Sequence, residues 1–131
     1  MTYLSILAAG AAYFILGGLW FTPLFGKQWD TAVGFARPPK WKPALPYYLV
    51  PLAGCLIASA ATAILVFLTH AQTLHDFIHV GLIAGVGYAA STTATNAVAP
   101  NMPRPYLYAA VVGSYHIAGN LLSAAVLYWL M

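Results

Sequence analysis

His116 lies in the middle of an apolar run, 106–129, that contains no charged residue. Gly113, His116, Asn120 and Ser123 follow an i, i+3, i+7, i+10 spacing, which puts them on one face of a helix. Low-dielectric surroundings disfavour a cation, so the imidazole is expected neutral, with one hydrogen-bond donor and one acceptor. Such a ring can hold a polar group of a solute, relay a proton or tie two helices together. Tyr13, Ser59, Tyr88 and His116 fall near the middle of their respective runs, and Asn96 lies toward the end of its own. His116, Asn120, Asn96 and Tyr88 are the expected polar lining of a binding site. The competing reading is structural: His116 bonds Tyr88, Ser91 or Thr92, and the two asparagines likewise serve helix packing. No acidic residue lies inside an apolar run, which argues against a proton-coupled pump and for a weakly polar or apolar solute.

Other chemistry finds little support. Asp30 and Asp76 are the only carboxylates, and neither a Ser-His-Asp order nor a glycine-rich phosphate loop is present, so no enzyme activity is expected. His75 and His79 are spaced i, i+4 and flank Asp76, with His70 nearby, but no fixed third ligand accompanies the pair, so no metal and no cofactor are expected. Cys55 is the single cysteine; it excludes an intramolecular disulfide and reads as a small buried hydrophobe.

Elements that position these residues follow from composition. Of 131 residues, 62% are hydrophobic and 5% charged, and the mean hydropathy is +0.79. Five basic and two acidic side chains cannot cover a soluble domain, so the expected solvent is lipid. Uncharged runs at 4–22, 47–69, 77–99 and 106–129 each have about the 20 residues that a helix needs to cross a hydrocarbon core. The expected fold is an all-α integral membrane protein, a single transmembrane domain over 1–131 with four transmembrane helices. The first run is expected to be an uncleaved helix and not a signal peptide, since no Lys or Arg precedes it. Pro23 is expected to end the first helix, Pro46 and Pro51 to sit in the first turn of the second, and Asp76 to cap the third. No break inside any span is expected.

Lys27, Arg37, Lys40, Lys42 and Arg104 all fall in the first and third connections. The positive-inside rule makes that side cytoplasmic and leaves both termini outside. Phe25, Trp29 and Val33 recur four apart and predict a short interfacial helix in the cytoplasmic connection after the first span. Residues 37–43 read as an extended basic connector that meets anionic lipid head groups, worth ~1 kcal/mol per basic residue. The partners implied are membrane lipids, not nucleic acid. Gly54-Ala58-Thr62 and Gly81-Gly85 are small-xxx-small ladders that serve helix packing, and a homo-oligomer is expected from the number of such faces.

The stretch Gly18-Leu19-Trp20-Phe21-Thr22-Pro23-Leu24-Phe25-Gly26-Lys27-Gln28-Trp29, followed in order by Thr95-Asn96, Arg104-Pro105 and Gly113-Ser114-Tyr115-His116, resembles the small bacterial membrane proteins catalogued as domain of unknown function 1761. The resemblance spans nearly the whole chain. It implies a four-helix protein of the bacterial inner membrane and no particular activity. Within the motif, Trp20, Pro23, Gly26 and Trp29 read as a turn in which Gly26 adopts a positive φ. Lys27, projecting from that turn, and Arg104 on the same side read as a cytoplasmic mouth that attracts an anion.

Two functions are expected from these residues. One is binding or permeation of a small, weakly polar or apolar solute through the helical bundle. The other is a structural or accessory membrane scaffold whose polar groups specify packing.

Overall fold

Threonine starts two of the helices, and proline starts two more. In the computed structural model, which describes residues 2–131, the Thr2 hydroxyl accepts from the Ser5 N–H at 3.2 Å and the Ser5 side chain returns to Thr2, so α1 (Tyr3–Leu24) opens on a capping box. Thr73 opens α4 (Leu74–Ala97) in the same way. Asp76 is the third residue of that box, not the cap: it accepts from the Thr73 N–H at 2.9 Å and the Gln72 N–H at 3.0 Å. The helix therefore begins before 77, because the threonine hydroxyl reaches the N–H of Asp76 from three residues upstream. Pro46 and Pro105 stand in the first turns of α3 (Pro46–Leu68) and α5 (Pro105–Leu130), where a missing N–H costs nothing. The short α2 (Gly26–Val33) completes the set. α1, α3, α4 and α5 are each long and apolar enough to cross a membrane.

Two helices depart from regular geometry. Pro23 does not end α1; it lies inside a final π-helical turn, Trp20–Leu24. Its ring nitrogen cannot bond the carbonyl four residues back. The wider register re-pairs the strand of carbonyls, with the Phe25 N–H on the Trp20 carbonyl at 2.7 Å. α4 switches to π geometry over Ile83–Ala90 and back to α at Ser91. Both helices remain continuous, as expected of unbroken spans, but their register widens within them. The widened turns coincide with the stretch pressed against α5: a Cβ on Gly81 would sit 2.8 Å from the Asn120 carbonyl, and one on Gly85 3.0 Å from the Ile117 Cα.

α5 is the axis of the molecule. It packs on α1, α4 and α2, while α3 packs on α1. Ala9, Ala63 and Ala124 are fully buried beside Val66, Phe77 and Leu127, where small side chains let three helices converge. A second, aromatic core joins Tyr13, Cys55 and Tyr115, with Trp20 and Phe21 against it. α4 meets α3 chiefly through Leu74–Leu82, and its later turns lean on α5. The two helices therefore diverge and leave a groove between them.

α2 is packed across one end of the bundle. Ala32 is fully buried, and its carbonyl accepts from the Arg104 N–H at 3.1 Å, tying α2 to the start of α5. Gly34, at φ 72°, closes the helix in the left-handed conformation that glycine tolerates best. Gly26 does not use positive φ: it lies inside α2, where a Cβ would come 2.8 Å from the Phe21 carbonyl. Close approach, not backbone freedom, requires glycine there. Arg37 is no free anchor for lipid, since its guanidinium bonds Asp30 at 2.8 Å and stands over the Trp41 ring at 5.4 Å.

A Cβ on Gly119 would overlap the Tyr13 ring. Gly119→Ala is expected to destabilise the fold by about 1–3 kcal/mol through overpacking. Gly87→Ala, with open space around it, is expected to be neutral or stabilising by about 0.5–1 kcal/mol. Unfolding in mixed micelles checks the pair, and equal stabilities would remove Gly119 from the packing scheme.

Candidate functional site

Polar groups from three helices meet on the floor of the groove. α1 supplies Tyr13, α3 supplies Cys55, and α5 supplies Tyr115, His116 and Asn120. The Tyr13 hydroxyl lies 2.7 Å from His116 Nδ1. Asn120 Nδ2 donates to the Tyr13 hydroxyl at 3.3 Å and to the His116 carbonyl at 2.8 Å, which uses both of its hydrogens and orients the amide. The Tyr115 hydroxyl donates to the Tyr13 carbonyl at 3.3 Å and stands 3.6 Å from Cys55 Sγ. The Tyr13 and Tyr115 rings stack with centroids 5.3 Å apart. Farther along the same faces, the Ser123 hydroxyl donates to that of Ser59 at 2.8 Å.

The groove has a volume of about 590 Å³. One wall is the small-residue face of α3, with Gly54, Ala58 and Thr62; the other is the π-helical stretch of α4, with Ala84, Tyr88 and Ala89. A Cβ on Gly54 would touch nothing, so the first rung of the second-helix ladder expected to pack instead faces open space, whereas Thr62 is buried. Thr62 turns its hydroxyl back to the Ala58 carbonyl at 2.9 Å and adds little polarity to the wall. Ser91, Thr93 and Thr95 likewise bond carbonyls of their own helix.

Of the expected lining residues, His116, Asn120 and Tyr88 come together along the groove. Asn96 does not join them; it is exposed on the last turns of α4, away from the groove lining. His116 bonds Tyr13 and not Tyr88, Ser91 or Thr92, because α5 packs its histidine face toward α1. Lys27 and Arg104 are exposed near α2 and the start of α5, outside the groove. The motif residues build an aromatic clasp at the same end. Trp20 donates from Nε1 to the Val111 carbonyl at 3.0 Å and packs on Phe25, while Phe21 meets Trp29 and Tyr115 edge to face. At the opposite end, His79 Nδ1 bonds the His75 carbonyl at 2.9 Å, and among the described residues no three metal-ligating side chains converge.

Tyr13, Tyr115, Cys55 and Gly119 were not among the expected lining residues. The one available signal was depth: Tyr13 and His116 stand at similar heights in their runs.

Tyr13→Phe removes a hydroxyl that serves two partners. It is expected to cost about 1–3 kcal/mol, the usual penalty for stranding buried polar groups. Ser59→Ala breaks one neutral pair and is expected to cost about 1 kcal/mol. Unfolding measurements in micelles check the order, and a smaller loss for Tyr13→Phe would demote the hydroxyl from its place in the site.

Neither the curated proteins nor the solved structures offer a match to this chain. A family model described as protein of unknown function (DUF1761) matches residues 4–128, in agreement with the tryptophan-proline-glycine motif and the later Gly-Ser-Tyr-His. The chain belongs to the DUF1761 family.

Proposed function

We propose that this chain is a multi-pass membrane protein that binds a small, weakly polar or apolar guest in the groove between α3 and α4. The groove itself carries the reading. It opens sideways between helices whose outer faces bear exposed Ile57, Ile64, Phe67 and Ile83, surfaces suited to hydrocarbon. Its volume falls in the range of ~300–1,000 Å³ usual for ligand pockets. In lipid such a slot fills from the side, with an acyl chain or a dissolved guest. Tyr13, Tyr115 and Leu127 fill the bundle interior, which favours lateral binding over permeation along the axis.

In the proposed setting, the bacterial inner membrane, the ends of the spans that carry Lys27, Lys40, Lys42 and Arg104 face the cytoplasm, and both termini face outward. Lys27 and Arg104 then meet lipid phosphates at the surface and do not guard an axial mouth. The scaffold reading, with a homo-oligomer, draws on a different observation. The hydrogens of Tyr13 and Asn120 are spent inside the protein, as a purely packing role requires.

Gly54→Leu fills the groove from a position with no neighbour within 4 Å. With a diazirine-bearing apolar photoprobe in liposomes, the variant is expected to lower labelling of groove peptides at least fivefold without loss of fold. Unchanged labelling would count against the groove. His116→Ala discriminates the second reading: a scaffold loses assembly while labelling persists in the folded fraction.

A further inference from the structure

We propose that the guest is a neutral, lipid-dissolved carbonyl compound of the quinone type, held by a hydrogen bond from His116 Nε2–H to its oxygen. The assignment rests on the groove-binding reading above. It follows from where the hydrogens must lie. Asn120 Nδ2 donates to the Tyr13 oxygen, so the single hydroxyl hydrogen of Tyr13 needs another acceptor. Among the described residues His116 Nδ1, at 2.7 Å, is the acceptor in reach. Nδ1 therefore accepts, and the neutral ring carries its hydrogen on Nε2, a tautomer assigned from the network. Nε2 has no protein partner among the described residues. It is not sealed either, since Arg37 Nε is the one fully buried, unpartnered side-chain nitrogen or oxygen among them. His116 lines the groove, which is the space the proposal assigns to this N–H.

Depth narrows the class. His116 is 11 residues from Pro105 and 14 from Leu130, roughly 16 and 21 Å along the helix at about 1.5 Å per residue. Phospholipid ester carbonyls sit at the edge of a hydrocarbon core about 30 Å thick, hence roughly 15 Å from its centre. An oxygen that meets Nε2 near mid-core belongs to a molecule without a charged head group. The walls favour a flat ring: Tyr88 and Tyr115 offer aromatic surface, and Gly54, Ala58 and Ala84 leave a slot that larger side chains would close.

The purified chain in phospholipid nanodiscs is titrated calorimetrically with decyl-benzoquinone and with decylbenzene, which shares the tail and a flat six-membered ring shape but has no carbonyl. The quinone is expected to bind at least tenfold tighter, with its infrared carbonyl stretch shifted to lower wavenumber. His116→Leu is expected to bring quinone affinity down to that of decylbenzene, and His116→Gln, which keeps a donor, to restore part of the difference. Equal affinity of the unaltered protein for the two probes overturns the carbonyl assignment and leaves the groove reading standing. Binding of neither probe overturns the groove reading itself. A co-purified phospholipid that native mass spectrometry shows undisplaced by quinone also overturns the assignment. Should His116→Leu fail to fold, the probe comparison and the infrared shift in the unaltered protein decide the matter.

Discussion

A polar side chain among apolar helices must find its partner inside the protein, and the Tyr13 hydroxyl is where this molecule meets that demand. It receives from Asn120 and gives to His116, while the carbonyl of the same residue receives from Tyr115. Tyr115 in turn stands beside Cys55 of α3. One chain of contacts thus links α1, α3 and α5. The ring can occupy this place only because Gly119 leaves room for it and Tyr115 offers a face to stack upon.

That crossing of α1 and α5 governs how the remaining helices settle. With α5 engaged on one side by Tyr13, α4 packs on its other side through Gly81 and Gly85, close enough for backbone to approach backbone. The π-helical turns of α4 lie in the same stretch. Such turns are rare in ordinary helices and recur at functional sites. Here they border the groove and contribute Ala84, Tyr88 and Ala89 to its wall. α3, held to α1 by the close contact of Gly10 with Leu56, does not follow α4 away. The groove is the space left by two different allegiances.

The conspicuous motif serves architecture. Trp20, Pro23, Gly26 and Trp29 join the widened end of α1 to α2 and α5 through ring contacts and one indole hydrogen bond. Arg37 and Asp30 brace the connection that follows. The groove draws on three tyrosines, a cysteine, a histidine, an asparagine and several alanines, of which Tyr115 and His116 belong to the later Gly-Ser-Tyr-His motif.

Helix number and approximate span were legible from the sequence because they depend on local properties. Uncharged runs of sufficient length, with prolines at 46 and 105 and polar connections between them, admit few alternatives. The central place of His116 in its helix and the helical face it shares with Asn120 were legible for the same reason, since helix periodicity needs no knowledge of neighbours. The family, too, was recognisable in the sequence, through the resemblance of the Gly18–Trp29 stretch and the later Gly113–His116 to its members. The partner of His116 was not legible, nor was the distance of Asn96 from it, the packing role of Gly26 or the openness around Gly54. Each depends on the rotation and offset of one helix against another, and those are set by the summed fit of many small contacts. A run of residues determines what a helix carries and in what order; only the packed bundle decides which face meets which, and hence which partner His116 takes.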